Sequence, residues 1–190
     1  MSEVVFVCAH GAGGHKDDRG MLALAKALGG IGVEVARFNF PYREIGSGRP
    51  DAMPVLKKTI AEAAARVRGA KRLIIGGRSM GGRAASMLAA DGFECDGLLL
   101  LAYPLHPPGE PGRLRVEHLA KIEVPVLCIN GTRDALCRRD LMEKAVPAFW
   151  TMHWLEGADH SFRVLKSSGR TDADVMAEVA AATRTWLATL

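Results

Sequence analysis

Ser79 stands in Gly77-Arg78-Ser79-Met80-Gly81, with the apolar run Leu73-Ile74-Ile75 before it and a helix-forming segment after it. A serine hydroxyl becomes a useful nucleophile only when a neighbouring base takes its proton, and that base needs an acid to hold its tautomer. Glycines flanking the serine let the chain turn sharply from strand to helix, so that the oxygen projects above a sheet. The segment therefore predicts attack on an acyl carbon. A bare Gly-x-Ser-x-Gly arises by chance; the strand before it and the helix after it separate a nucleophile turn from a structural glycine turn.

The base and its acid should follow downstream, each at the end of a strand, in the order serine, acid, histidine. Asn130-Gly131-Thr132-Arg133-Asp134 follows the apolar run Val126 to Ile129, and Gly157-Ala158-Asp159-His160 follows the next strand-like run. Asp134 and His160 are the expected pair. His15, His118 and His153 lack a strand-end glycine loop, whereas His106, in Tyr103-Pro104-Leu105-His106-Pro107-Pro108, is the strongest rival base. Asp140 is the fallback acid, although its place at the start of a helix suits a cap.

His10-Gly11-Ala12-Gly13-Gly14 lies directly after the first strand. Such a loop can supply one N–H of an oxyanion hole, from Ala12 or its neighbour Gly11, with the second from Met80, the residue after the nucleophile. A plain strand-to-helix turn is the alternative. Phosphate binding fails on spacing, because Lys16 stands where a third glycine is required and the segment from Gly77 to Arg83 lacks the Lys-Ser/Thr end of a P-loop.

Gly76-Gly77-Arg78-Ser79-Met80-Gly81, Arg37-Phe38-Asn39-Phe40-Pro41-Tyr42 and Tyr103-Pro104-Leu105-His106-Pro107 together resemble the small α/β-hydrolases related to dienelactone hydrolase. That group includes a testis-expressed hydrolase-like protein and the hydrolase-like subunit of the non-specific-lethal chromatin complex. The resemblance runs over nearly the whole chain. It implies an α/β-hydrolase fold, a mostly parallel central sheet with helices on both faces, minimal and without a cap domain. Dienelactone hydrolases use a cysteine nucleophile where this chain has Ser79, so their substrate class does not carry over. His10, Gly11, Tyr42 and His106, in the motif loops, are the candidate substrate contacts.

The elements that must position these residues alternate between short apolar runs and helical patterns, as βαβ units do. Strands are expected at Val4 to Cys8, Val33 to Phe38, Arg72 to Ile75, Leu98 to Ala102, Val126 to Ile129 and Thr151 to Leu155. Helices are expected at Met21 to Leu28, Val55 to Arg68, Met80 to about Ala90, and after Thr171, whose hydroxyl and Asp174 fit a cap. Pro41 to Pro54 and Tyr103 to Val116, dense in Pro and Gly, read as surface loops. Neither is long enough to fold as a cap, which predicts a shallow, open pocket rimmed by Arg43, Arg49, Arg113 and Arg115.

The length of 190 residues suits one domain spanning 1–190. A 48% hydrophobic and 24% charged composition excludes disordered and fibrous classes. Basic residues exceed acidic ones by four but are scattered, so no nucleic-acid partner is expected. Cys8, Cys95, Cys128 and Cys137 form no CxxC pair, so neither a disulfide framework nor a metal site is implied. No cofactor is required. The amino terminus Met-Ser-Glu lacks a signal-peptide pattern and no run is long enough to span a membrane, which points to the cytoplasm. The combined expectation is hydrolysis of a small ester or thioester; acyl transfer would use the same residues, and a non-catalytic module that reads a partner through its loops is the rival. The oligomeric state is left open.

Overall fold

The computed structural model describes residues 3–67, 69 and 71–190. Met1, Ser2 and Arg68, on which the amino-terminal reading and the expected helix end fall, lie outside the described residues, as does Ala70.

Six strands, β1 (Val4–Ala9), β2 (Val33–Arg37), β3 (Arg72–Arg78), β4 (Gly97–Leu101), β5 (Val126–Gly131) and β6 (Thr151–Leu155), form one sheet in the order β2-β1-β3-β4-β5-β6. Every pairing is parallel. The central strands are apolar throughout because both faces are covered. In β4, Leu98 and Leu100 join one core cluster while Leu99 and Leu101 join the other. Each of these leucines is worth ~1.5–3 kcal/mol on burial.

Helices α1 (Arg19–Gly29) and α6 (Asp172–Leu187) cover one face, using Met21, Leu24 and Leu28 from the first and Val175, Val179 and Trp186 from the second. α3 (Met53–Arg66) and α4 (Met80–Ala90) cover the other, and α5 (Arg139–Ala145) adds Met142 to that core. The Asp18 carboxylate caps α1 by accepting the Met21 N–H at 2.9 Å. Thr171 and Asp174 form the expected reciprocal capping box on α6.

Among the differences from the sequence reading, three concern helices. A short helix, α2 (Pro41–Glu44), begins the stretch expected to be irregular, and α3 starts two residues early, at Met53. In both, proline occupies the first turn, where its fixed φ is helical and its missing N–H costs nothing. Asp140 does not cap α5. Arg138 holds the cap position, and the Asp140 carboxylate accepts two bonds from the Arg138 guanidinium, at 3.1 and 2.7 Å.

With all strands parallel, the loops that leave β1, β3, β5 and β6 gather at one edge of the sheet. The chain runs outward from β1 to β2, then returns to β3 on the other side of β1. That reversal opens a crevice at the carboxyl ends of β1 and β3. The His10 loop and Ser79 flank it.

Candidate active site

Ser79 sits between β3 and α4 with φ at 48° and ψ at −117°, a strained conformation for a residue with a side chain. Close packing enforces it. A Cβ on Gly77 would meet the Ala9 carbonyl oxygen at 2.1 Å, and one on Gly81 would meet the His10 carbonyl oxygen at 2.6 Å. The chain can pass beside β1 on both sides of the serine only because these residues have no side chain. The Ser79 N–H also donates to the Leu101 carbonyl at 2.9 Å, tying the turn to β4.

His160 Nε2 lies 2.9 Å from Ser79 Oγ, and its Nδ1 lies 2.9 and 2.8 Å from the two Asp134 oxygens. A carboxylate can only accept, so Nδ1 carries the proton, and Nε2 offers its lone pair to the serine hydroxyl. The histidine side chain is 29% exposed while that of Asp134 is fully buried. Buried as it is, the carboxylate orients the ring undisturbed by water.

Asp134 is itself fixed. One of its oxygens accepts the Leu136 N–H at 2.8 Å and the other accepts from Asn130 Nδ2 at 3.3 Å. Asn130 is fully buried; its Oδ1 accepts the Tyr103 N–H at 3.1 Å and its Nδ2 donates to the Tyr103 carbonyl at 3.2 Å. It clamps the ends of β4 and β5 together and aims the carboxylate. Sequence reasoning missed this role. The available signal was an amide closing an otherwise apolar strand, where a buried polar group must find partners.

Arg78 donates to the His160 carbonyl at 3.2 Å, with its guanidinium carbon 5.0 Å from the Phe162 ring centre. It steadies the histidine loop from below. Burial pulls its pKa down, opposed by the field of Asp18.

The loop after β1 is held from behind. The Tyr42 hydroxyl donates to the Ala12 carbonyl at 2.8 Å, and Arg43 Nε donates to the Gly14 carbonyl at 2.8 Å. The N–H groups of Ala12 and Met80 have no acceptor among the described residues. His10 donates from Nδ1 to the Gly11 carbonyl at 2.8 Å and accepts the Phe40 N–H on Nε2 at 3.2 Å. Burial lowers its pKa, which keeps the ring neutral as this pattern requires.

Of the four residues expected to touch substrate, only Gly11 lines the opening over Ser79. His10 is fully buried, and Tyr42 and His106 are each 2% exposed. Both nitrogens of His106 are engaged by backbone, Nδ1 with the Pro107 carbonyl at 2.9 Å and Nε2 with the Arg138 N–H at 3.3 Å. These three shape loops from within. Apolar character and a polar tip look the same in sequence whether a side chain faces a ligand or a loop backbone.

A second serine–histidine contact joins Ser86 Oγ to His118 Nε2 at 2.8 Å. Ser86 is wholly buried inside α4 and its hydroxyl also donates to the Arg83 carbonyl at 2.8 Å. No carboxylate bonds to the other nitrogen of His118 among the described residues. That pair lacks both access and an orienting acid.

Cys8 and Cys128 are core residues, fully buried, with burial pushing the Cys8 thiol up to about 12 and the Cys128 thiol upward as well. Among the described residues no cluster of three metal-binding side chains occurs, and no helix is long and apolar enough to cross a membrane.

The family described as alpha/beta hydrolase domain matches residues 2–188. The chain belongs to that family. Solved structures agree on the fold of this α/β-hydrolase. A serine hydrolase without lid from Xanthomonas campestris is 22% identical, superposes with a TM-score of 0.72, and aligns over 98% of this chain and 83% of its own. A dienelactone hydrolase from Anabaena variabilis is 17% identical with a TM-score of 0.73, over 99% and 87% of the two chains. An alpha-beta serine hydrolase homologue from Coxiella burnetii is 20% identical with a TM-score of 0.72, over 94% and 84%. Among the described residues of this α/β-hydrolase-family chain, none forms a cap inserted over the sheet edge.

Ser79 and His160 open into a groove of about 1510 Å³ that continues between α1 and α6. None of the four arginines expected at the rim lines it. Arg43 supports the β1 loop, Arg113 pairs with Glu110 at 3.5 Å, and Arg115 donates to the Pro104 carbonyl at 3.3 Å.

Proposed function

We propose that this α/β-hydrolase cleaves an ester or thioester of a small acyl group through an acyl-enzyme on Ser79. The observation that carries the proposal is the unbroken chain of contacts from Ser79 Oγ to His160 to Asp134, at 2.9 and 2.8 Å. The family membership and the serine hydrolases among the neighbours support it. The motif resemblance to the testis-expressed and chromatin-complex relatives is a finer kinship that rests on the sequence alone.

In this mechanism Ser79 attacks the acyl carbon as His160 Nε2 takes the hydroxyl proton, and Asp134 stabilises the imidazolium. The Ala12 and Met80 N–H groups hold the oxyanion, an arrangement that needs no rearrangement during the reaction. His160 then protonates the departing oxygen or sulfur. Water repeats the sequence on the acyl-enzyme, releasing the acid and regenerating Ser79.

Labelling with a fluorophosphonate tests the proposal directly. The probe should modify Ser79 in the wild type, fail on Ser79→Ala, and react poorly with His160→Ala, where the hydroxyl has lost its base. Asp134→Asn should fold normally and lose up to ~10⁴-fold in kcat as the tautomer is no longer held. A folded wild type that resists the probe and hydrolyses neither aryl esters nor acyl thioesters would establish a non-catalytic module instead.

A further inference from the structure

The groove that leaves Ser79 is far larger than a small acyl group requires. Beside the serine it passes between the loop from Gly11 to Gly14 and His160 with Ser161, then runs down the seam between α1 and α6 to Gly30 and Arg184. α1 and α6 start at the same edge of the sheet, where Arg19 of one pairs with Asp172 of the other at 3.7 Å. From Arg19 to Gly30 the seam is ~16 Å long at 1.5 Å per residue.

Along the seam its walls are apolar, formed by Ala23, Ala27 and Ile31 on one side and Met176, Ala177 and Ala181 on the other. At the serine end the groove also carries the buried Arg78 and the exposed Arg163, whose side chain has no ion pair or hydrogen bond among the described residues. The two carboxylates near the serine end are already engaged, Asp18 as the cap of α1 and Asp172 with Arg19. Lys26 and Arg184, in the last turns of their helices, flank the distal end, and neither has an ion pair or a side-chain hydrogen bond among the described residues. Two unpaired cations at the end of an apolar channel complement an anion, with a contribution to each helix's own terminal dipole besides.

The point of entry decides which part of a substrate the groove takes. The departing atom must receive its proton from His160, so the leaving group lies on the histidine side of the serine. His160 and Ser161 form the wall of the groove on that side, opposite the loop from Gly11 to Gly14. The geometry points to a leaving-group channel: the hydrolase takes esters or thioesters whose alcohol or thiol arm is extended, largely apolar and ends in a carboxylate or phosphate held between Lys26 and Arg184. The inference rests on the proposed acyl-enzyme chemistry for its polarity and on the groove alone for its ligand.

The test uses acetate esters of an eleven-carbon alcohol carrying a terminal carboxylate, a terminal phosphate or no charge, beside the short ester ethyl acetate. Either anionic ester should exceed the uncharged one in kcat/KM by ~10-fold or more. The carboxylate and phosphate arms compare the two possible sources of the anion. Lys26→Ala combined with Arg184→Ala should abolish that preference and leave ethyl acetate turnover unchanged. Ala177→Trp, an exposed substitution in the wall, should remove the advantage of every long arm.

Binding of 11-hydroxyundecanoate and 11-hydroxyundecyl phosphate, which have no scissile bond, is measured by calorimetry on the wild type and on the double variant. Binding to the wild type that is lost in the double variant, even with no ester turned over, supports the channel while removing the hydrolase reading. Turnover of ethyl acetate with anionic and neutral arms equal within ~2-fold, and no binding of either probe, overturns the channel and leaves the hydrolase intact.

Discussion

The Tyr42 hydroxyl donates to the Ala12 carbonyl at 2.8 Å, from a ring that is almost wholly buried. That bond anchors the loop that carries the proposed oxyanion donor, the Ala12 N–H. Tyr42→Phe removes one bond without changing the packing. We expect kcat to fall ~10-fold with KM little altered, a fraction of the 10²–10³ lost when an oxyanion donor itself is removed. Steady-state kinetics on an aryl acetate reads this split, and a change confined to KM would contradict it.

Asn130 connects Tyr103 to Asp134 through bonds to both, and replacing it strands buried polar groups on either side. Asn130→Leu should cost ~1–3 kcal/mol for each partner left unsatisfied. In urea titration this appears as a lower midpoint with unchanged slope. The loss of kcat should exceed what the remaining folded fraction explains, because the carboxylate is no longer aimed.

Gly77→Ala is expected to prevent folding of the turn. Its φ of 145° disfavours a side chain, and the new methyl would meet the Ala9 carbonyl at 2.1 Å, inside the β1–β3 pairing. A destabilisation above ~4 kcal/mol follows, since backbone must move on both strands. Soluble yield and thermal midpoint are the measurements; a variant with the wild-type midpoint would refute the packing argument.

His118 makes stability depend on pH. Burial, with Arg83 adding repulsion, lowers its pKa from 6.5 to about 4, so the folded protein binds its proton less readily than the unfolded chain. Stability from this residue is complete above pH 6.5 and is lost progressively as pH falls toward 4, where the folded form also protonates. His118→Gln should flatten that part of the profile. Urea unfolding of both proteins at pH 7.5 and pH 5 tests it: the wild type should lose more stability across the interval than the variant.

The sequence by itself determined the order of the elements and the local chemistry of the site. Apolar runs such as Leu98 to Leu101, bounded by turn residues, read as strands buried on both faces, and Gly77 and Gly81 permit the turn that Ser79 occupies. Asp134 and His160 stand out because each ends a strand in a glycine loop, at a position the parallel topology returns to one edge. These are properties of contiguous residues and their spacing. What only the tertiary structure decided involves partners far apart along the chain. Tyr42 and His106 look like ligand contacts in sequence, but their polar atoms meet the backbone of Ala12, Pro107 and Arg138. Asn130 matters because it reaches Tyr103, 27 residues away. The groove exists because the first and last helices lie side by side on one face, and no spacing along a chain encodes which two helices will be neighbours; the sheet order does.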